Sequence, residues 1–389
     1  MPAVVGIVNC RNYELAEVEQ AVERLITSLG GWQAFVRPGQ TVLLKPNMIG
    51  PRPPEQAATT HPAVVQVIAT KLREIGCTVW IGDSAGGAIG GIAPTAQALK
   101  VCGFEAAAQA AGAEIKSFDA SGVVEVTSKF FDFKPKYHLA APVFQADVVI
   151  NLPKLKTHSA AIYTGALKNL FGLVPGLGKA EFHRQAPTNE LFAEVIADIN
   201  RNTPITLTIM DAVVGMEGAG PTAGDPREVG LLLASTDRVA LDAVACRLIG
   251  LDPAVVPIVQ TAYERGLGEL AAANITFTGD YAEQPVVHGY RLPAGKKRSN
   301  PKVAKFMLNT VVNLFKTRPQ VNQERCRKCD ICVENCPVEA IDPQSKLIDY
   351  SVCIECLCCH ELCPHGCVDL VRQNKLANAL MGLARRMHK

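Results

Sequence analysis

The chain has 389 residues, of which 48% are hydrophobic and 20% are charged, and its formal net charge is +2. This length accommodates two or three domains with a sizeable core. The small net charge gives no electrostatic basis for general nucleic-acid binding, and no apolar run has the length of a membrane span.

Short apolar runs alternate with helical stretches over the first 280 or so residues. The predicted strands are residues 3–8, 41–47, 78–87, 113–119, 146–158, 205–218 and 229–237. The predicted helices are residues 15–31, 61–76, 94–112 with a break at Gly103, 189–202 and 238–250. Such alternation, with nearly continuous apolar strands, predicts an α/β domain whose mainly parallel sheet is covered by helices on both faces.

Polar side chains follow the predicted strands, at the edge where ligands bind in folds of this kind. Lys154, Lys156 and His158 come directly after one buried strand. Several lysines at one edge would converge on an anionic group, and we expect a small anionic substrate there. The candidate substrate-binding residues are Lys45, Asn47, Asp83, Ser84, Lys154, Lys156, Lys168 and Asn169. The candidate catalytic residues are His158, Asp211 and Glu217.

Each of these residues also has a plainer interpretation. Scattered lysines keep loops soluble, and a single histidine often makes only a polar contact. The glycine-rich stretch 82–91 (GDSAGGAIGG) matches neither G-x-G-x-x-G nor the phosphate-loop pattern. It therefore gives little support to a nucleotide site, although Asp83 and Ser84 before the glycines could form an anion-binding turn.

The strand-end motifs resemble the domain of unknown function 362 family. They read TVLLKPN, WIGDS, INLPKLKTH, TGALKNLFG, DAVVGMEGAGP and STDRVALDAVA, and the resemblance covers about residues 3–282. It implies an iron–sulfur protein of anaerobic or facultative redox metabolism, often joined to a C-terminal ferredoxin module, but supplies no reaction. The polar positions of the family correspond to the candidate residues above and to Asp242.

Residues 291–321 change character and predict a basic linker with one amphipathic helix. Its apolar stripe comprises Val303, Phe306, Met307, Val311 and Leu314. We interpret it as a helix packed across a domain junction; the alternative is a basic face for a membrane surface or an acidic partner. The basic tail, residues 373–389, has the same two interpretations.

Between linker and tail, two cysteine runs share the pattern C-x2-C-x2-C-x3-C-P, and the second is the first displaced by 27 residues (326 to 353, 336 to 363). Four soft thiolates converge on each iron–sulfur cubane, and the fourth cysteine of each run binds the other cluster. Zinc knuckles and disulfides are the alternatives, but zinc more often uses two C-x2-C pairs separated by a longer loop.

This pattern predicts two 4Fe–4S clusters with crossed ligation. The predicted ligands of cluster I are Cys326, Cys329, Cys332 and Cys363. The predicted ligands of cluster II are Cys353, Cys356, Cys359 and Cys336. The segment resembles the two-cluster ferredoxin family over about residues 322–372, which implies a small α+β ferredoxin-like module after an α/β domain at 1–290.

The other six cysteines are predicted to pack. Cys10, Cys77, Cys102 and Cys246 sit singly in apolar surroundings, and Cys358 and Cys367 replace Ile331 and Ala340 of the first repeat. Clusters and reduced thiols belong in a reducing compartment, and the N-terminus lacks the pattern of a secretory signal. We therefore expect a cytoplasmic protein.

Three functions fit these features. The first is an iron–sulfur oxidoreductase whose clusters exchange electrons with a small anion in the α/β domain and with a redox partner protein. In the second, an electron carrier, the α/β domain only docks a partner enzyme. The third is a sensor or maturation factor whose clusters are structural. No flavin or nicotinamide signature is present, so two-electron chemistry has no recognised cofactor.

Overall fold

The computed structural model describes residues 2–87, 94–176, 178–293 and 317–372. The predicted linker helix and the tail lie outside the described residues. No described helix is both long and apolar enough to cross a membrane.

Ten of the described strands form one sheet. They are β1 Ala3–Asn9, β2 Thr41–Pro46, β3 Thr78–Asp83, β4 Glu114–Ser117, β7 Val148–Leu152, β8 Lys154–His158, β9 Ile162–Thr164, β10 Leu207–Glu217, β11 Asp225–Ser235 and β12 Ile275–Gly279. Their order in the sheet is β12-β1-β11-β10-β7-β2-β3-β4, with β8 paired to β10 and β9 paired to β8. A separate hairpin pairs β5 Val123–Thr127 with β6 Lys136–Ala140. Among the described strands of the ten-stranded sheet, only β11 and β9 run antiparallel to their neighbours. The prediction of a mainly parallel sheet is confirmed.

Helices cover both faces of the sheet. They are α1 Leu15–Ser28, α2 Pro62–Ile75, α3 Thr95–Val101, α4 Phe104–Ala111, α5 Pro142–Gln145, α6 Ala166–Asn169, α7 Gly178–Gln185, α8 Asn189–Arg201, α9 Arg238–Leu248 and α10 Pro257–Glu264. Successive strand residues point to opposite faces. Thus Val42 and Leu44 pack with α1 and α2, whereas Leu43 packs with α8 and α9. Both faces are therefore buried, which explains the continuous apolar strands.

Local sequence signals account for the helix ends. In α1 the buried residues Val18, Val22 and Leu25 recur at helical spacing, and two glycines follow the helix. Helix α2 begins at Pro62, as predicted, but its capping residue is His61, whose Nδ1 accepts from the Ala63 amide at 3.2 Å. Thr60, the predicted cap, instead donates to the Leu152 carbonyl at 2.6 Å.

The C-terminal module is built on an antiparallel pair, β13 Thr317–Val321 and β14 Val368–Arg372. Residues 317–321 therefore form part of the module, although the sequence pattern placed them in the linker. Short helices at Ile331–Glu334 and Cys358–Leu362 recur at the 27-residue offset of the cysteine runs.

The module lies against the loops after strands β2, β3 and β10. Arg52 Nη2 donates to the Cys363 carbonyl at 2.7 Å, and Thr222 Oγ1 donates to the Glu361 carbonyl at 3.1 Å. A Cβ on Gly87, whose φ is +78°, would lie 2.9 Å from Leu362. The glycines after β3 thus permit close approach of the module, which is a structural reason for the glycine-rich turn.

Candidate functional site

The eight motif cysteines line two separate cavities in the module. One cavity is bordered by Cys326, Cys329, Cys332 and Cys363. The other is bordered by Cys336, Cys353, Cys356 and Cys359, together with Cys358. Each cavity thus combines three cysteines of one run with the fourth cysteine of the other, as crossed ligation requires. Within the described ranges, no three Cys, His, Asp or Glu side chains are placed to hold a single metal ion.

Backbone amides point at the cysteine sulfurs in a pattern that repeats between the two runs. In each run the first sulfur accepts an N–H bond at 3.4 Å and the fourth accepts one at 3.2 Å. The donor and acceptor pairs are Lys328 to Cys326, Glu355 to Cys353, Ala340 to Cys336 and Cys367 to Cys363. Such bonds stabilise thiolates and tune cluster potentials. The residues present therefore fit two iron–sulfur clusters.

A third cavity, of about 100 Å³, lies between the α/β domain and the module. Both domains contribute to its wall. The polar and ionisable side chains that line it are Asn47, Asp83, Ser84, Lys156, Thr164, Lys168, Asn169, Lys179, His183, Asn335, Cys358 and Glu361. Cys358 borders both this cavity and the second cysteine cavity. We call this space the interdomain cavity.

Lys156 and Lys168 bring positive charge to the interdomain cavity. Lys156 is 1% exposed, and its Nζ donates to the Ala58 carbonyl at 2.7 Å. Burial, helped by the charge of Lys168, lowers the pKa of Lys156 to about 7. Burial also lowers the pKa of Lys168, whose ammonium finds no hydrogen-bond acceptor within the described chain. Neither lysine forms an ion pair with a described carboxylate, so an anion in the cavity would relieve an unfavourable arrangement.

Two further basic residues on α7 reach the interdomain cavity. The Lys179 ammonium donates to Ser84 Oγ and to the carbonyls of Ser84 and Ala85, and burial lowers its pKa to about 8. His183 stacks on Phe192 with a centroid distance of 4.7 Å, and burial lowers its pKa to about 3. Sequence reasoning missed both residues because neither follows an apolar strand. The signal available in the sequence was the position of Lys179 directly after the glycines at 176 and 178.

A relay of three asparagines forms part of the cavity wall. Asn151 Nδ2 donates to the Ala166 carbonyl at 3.0 Å, and Asn151 Oδ1 accepts from Asn169 Nδ2 at 2.7 Å. Asn169 Oδ1 in turn accepts from Asn47 Nδ2 at 3.0 Å. Because the Ala166 carbonyl can only accept, the relay fixes the orientation of every amide in it.

His158 lies beside the cavity and faces Glu361 of the module. Its Nδ1 accepts from the amides of Ala160 and Ala161, both at 3.1 Å, which leaves the ring proton on Nε2. Nε2 is 3.2 Å from Glu361 Oε1, within ion-pair distance but out of line for a hydrogen bond. Burial lowers the pKa of His158 and raises that of Glu361. Glu361 was missed because only domain docking brings it here.

Of the other candidate residues, Asp83 and Ser84 line the interdomain cavity, whereas Lys45, Lys154, Asp211 and Glu217 do not. Lys154 Nζ pairs with Asp211 Oδ2 at 2.8 Å and also donates to Tyr13 at 2.7 Å. Lys45 Nζ pairs with Asp83 Oδ2 at 2.9 Å, and of these two residues only Asp83 reaches the wall. The anion-binding prediction therefore concentrates on the unpaired Lys156 and Lys168.

The two acidic candidates are engaged in local contacts. Asp211 also accepts from the His61 amide at 2.9 Å, which ties β10 to the start of α2. Glu217 accepts from Arg291 Nε at 2.7 Å and from the Arg291 amide at 2.9 Å. Asp242 accepts from the amides of Ala166 and Leu167 and so holds the start of α6. These contacts are those of residues that stabilise the fold.

Comparison with known proteins bears on this arrangement. Residues 42–247 match the model for the domain of unknown function DUF362, and residues 319–342 match that for the 4Fe-4S binding domain. The thylakoid-associated protein sll1697 of Synechocystis is 36% identical over 291 residues, which are 74% of this chain and 87% of that protein. The chain belongs to the DUF362 family. The DUF362 part thus carries the lysines and the asparagine relay, and a 4Fe-4S binding domain follows it.

A second relative matches a short part of the chain, and two solved structures match part of the fold. The pyruvate synthase subunit PorD of Methanocaldococcus jannaschii is 38% identical over 61 residues, 15% of this chain and 71% of that subunit. The lactate racemase apoprotein of Thermoanaerobacterium thermosaccharolyticum is 12% identical with a TM-score of 0.39, covering 63% of this chain and 56% of that one. A Thermotoga maritima protein is 10% identical with a TM-score of 0.36, covering 64% and 59%.

Proposed function

We propose that this DUF362 protein is an iron–sulfur oxidoreductase that exchanges electrons with a small anion bound in the interdomain cavity. The observation that carries the proposal is the shared wall. One residue, Cys358, borders both the cavity that holds unpaired lysines and the cavity lined by Cys336, Cys353, Cys356 and Cys359. A ligand in the first cavity would lie next to whatever the second cavity holds.

The two cysteine cavities would hold one 4Fe–4S cluster each, with the crossed ligands named above. When bound, such clusters accept and donate single electrons. The chain supplies the amide donors at the sulfurs and the hydrophobic surroundings, including Ile341 and Val368. The match to the 4Fe-4S binding domain covers the first cysteine run, and the second run repeats its spacing and its hydrogen bonds.

The residues of the interdomain cavity would bind and orient the anion. Lys156 has two unused N–H donors and Lys168 has three, so both can donate to an anionic oxygen. The hydrogen bonds of Asn169 to Asn151 and Asn47 hold its side chain in one orientation at the cavity wall. His158, whose Nε2 lies 3.2 Å from Glu361 Oε1, would influence the anion only through the Glu361 carboxyl group. Asp211 and Glu217 would not contact the anion, because Asp211 is paired with Lys154 and Glu217 with Arg291.

A redox partner would approach the opposite side of the module. Cys329 is exposed, whereas Cys358 and Cys359 are buried. The similarity to PorD supports exchange of electrons with a partner protein. It also favours the second candidate function, an electron carrier whose DUF362 domain docks a partner without its own catalysis.

We propose a cytoplasmic location, with the partner at a membrane surface as an alternative suggested by the name of the thylakoid-associated relative.

The proposal is tested by screening small carboxylates and phosphates against the anaerobically purified, cluster-loaded protein. Thermal shift identifies an anion that binds, and electron paramagnetic resonance (EPR) of the reduced protein reports on the clusters. We expect a binding anion to alter the spectrum of one cluster and leave the other unchanged, and Lys168→Met to abolish both effects. Lys100→Met, an exposed lysine on α3, is the control. Binding without any spectral or potential change would favour the carrier function.

A further inference from the structure

Arg52 connects the α/β domain to a predicted cluster ligand. It lies in the loop after β2, and its Nη2 donates to the carbonyl of Cys363 at 2.7 Å. Among the described residues, this is the one hydrogen bond from the α/β domain to a predicted ligand of either cluster. The carbonyl of Cys336, the matching ligand of the first run, accepts from the Glu339 amide of the module at 3.2 Å. Arg52 therefore distinguishes cluster I from cluster II.

The loop that carries Arg52 is fixed to the α/β domain. Cys102, directly after α3, donates from its Sγ to the carbonyl of Gly50 at 3.4 Å and to that of Arg52 at 3.3 Å. Cys102 is fully buried, so these contacts are shielded from water. Because the loop is held in this way, the Arg52 guanidinium reaches Cys363 only when the module is docked on the α/β domain.

The Arg52 guanidinium forms no ion pair with a carboxylate in the described part of the chain. The side chain is partly buried, and burial lowers its pKa, whereas the Cys363 thiolate acts in the opposite direction. A partly buried cation without a counter-charge is unfavourable. A thiolate-ligated cluster that includes Cys363 is anionic and would supply the missing counter-charge.

The basic side chains that border the cavity of cluster I differ from Arg52. Arg327 and His365 are exposed, and the buried Lys346 pairs with Asp330. Water and salt screen exposed charges much more than partly buried ones. Arg52 thus combines partial burial with the lack of a carboxylate partner. It does not border the cavity itself, so it is a positioning residue that acts through Cys363.

We propose that Arg52 couples the charge of cluster I to the docking of the module on the α/β domain. This inference rests on the proposed function, because it requires a cluster at Cys326, Cys329, Cys332 and Cys363. One electron, taken from the redox partner, adds one negative charge beside Cys363. Arg52 favours that charge and so raises the midpoint potential of cluster I. By reciprocity, the added charge strengthens the docking that brings Arg52 to Cys363.

Docking also controls the interdomain cavity, because the module forms part of its wall. The reduced protein should therefore hold this cavity closed more firmly than the oxidised protein does. Electron delivery from the partner would in this way favour the closed arrangement in which the bound anion lies next to the second cysteine cavity.

The first test is an EPR-monitored redox titration of the anaerobically purified protein. Arg52→Gln retains a hydrogen-bond donor but removes the charge, and it is expected to lower the midpoint potential of cluster I alone. Arg52→Lys retains the charge and is expected to stay close to the unaltered protein. Cys336→Ala, which removes a ligand of cluster II, identifies the signal of cluster I. The control is Arg73→Gln, since Arg73 donates to the Cys77 carbonyl at 2.9 Å, at the other end of β3. It should change neither potential.

The second test measures docking itself. Hydrogen–deuterium exchange is followed in residues 48–53 and 357–364, which meet where Arg52 contacts the module. The oxidised protein is compared with protein reduced by dithionite, which supplies the electrons. Reduction is expected to slow exchange in the unaltered protein and in Arg52→Lys, but not in Arg52→Gln.

The possible outcomes separate this inference from the proposed function. Equal potentials of cluster I in Arg52→Gln and in the unaltered protein would overturn the inference alone. Equal falls in Arg52→Gln and Arg52→Lys would assign the effect to geometry and would also overturn it. Changes in both clusters would indicate a detached module and contradict a role for the Arg52 charge. A protein without iron and labile sulfide would overturn the proposed function together with this inference.

Discussion

Lys154 and Lys156 lie two residues apart on β8, and their replacement by methionine should change stability in opposite directions. Both side chains are 1% exposed. Lys154 forms a 2.8 Å ion pair with the buried Asp211, whereas Lys156 has one carbonyl acceptor and no described ion-pair partner. Methionine preserves most of the aliphatic volume, so the comparison isolates the ammonium groups.

The size of the Lys156 effect follows from its pKa. Burial lowers the pKa from an ordinary 10.5 to about 7, and at about 1.4 kcal/mol per pH unit this corresponds to a destabilisation of about 5 kcal/mol when the ammonium is charged. Replacing Lys156 also removes its hydrogen bond to the Ala58 carbonyl, and this loss offsets roughly 1–3 kcal/mol of the stabilisation gained. Lys156→Met should therefore stabilise the protein at neutral pH by about 2–4 kcal/mol. Lys154→Met should destabilise it by about 3–5 kcal/mol, because Asp211 is left as a buried, unpaired charge.

The assay is thermal unfolding under anaerobic conditions at pH 7 and at pH 10. The pH dependence has a definite sign. A lysine whose pKa is lowered by folding destabilises fully below the folded pKa, and that penalty fades as the pH rises toward the unfolded pKa. The stabilisation that Lys156→Met gives over the unaltered protein should thus be smaller at pH 10 than at pH 7. The same variant should lose anion binding. If Lys156→Met lowered the melting temperature as Lys154→Met does, the interpretation of Lys156 as an unpaired ligand-binding cation would be wrong.

Three other perturbations address the site and the module. Anion affinity should fall by up to about tenfold per pH unit above pH 7, because Lys156 loses its proton there; calorimetry showing constant affinity from pH 6 to 9 would contradict this. Cys336→Ala should damage the cluster nested among Cys353, Cys356 and Cys359, seen as loss of one EPR signal; damage confined to the other cluster would refute crossed ligation. Gly87→Ala should loosen the module and weaken anion binding, because its Cβ would lie 2.9 Å from Asn335 Oδ1. Gly39→Ala has a similar positive φ but no atom within 4 Å, and should change stability alone.

The sequence was sufficient for features that depend on local pattern. Apolar runs such as 41–47 became central parallel strands because both of their faces are buried, and the break at Gly103 separates α3 from α4. The grouping of the motif cysteines around two cavities follows from the spacing of the runs. The first three cysteines of each run border one cavity, and the fourth borders the other. These signals act over a few residues, where chain geometry dominates.

Features that depend on register and docking were not predictable. Lys45 lies at the end of β2, Lys154 and Lys156 lie on β8, and Lys168 lies on α6. Which of these lysines is paired with a carboxylate depends on the neighbours that strand order supplies. Asp83 on β3 lies beside Lys45 on β2, and Asp211 on β10 lies opposite Lys154 on β8. Glu361 lies between two motif cysteines, and it reaches the cavity only because the module packs on the α/β domain. No spacing in the sequence encodes that contact.

The central claim is that both cysteine cavities hold four-iron clusters and that only one of them adjoins the anion. The most direct measurement is iron and acid-labile sulfide analysis of the anaerobically purified protein, followed by EPR-monitored redox titration with and without a binding anion. We expect about eight iron atoms per chain and an anion-dependent change in the midpoint potential of one cluster alone. A zinc-containing protein without labile sulfide, or two potentials that ignore a bound anion, would contradict the account.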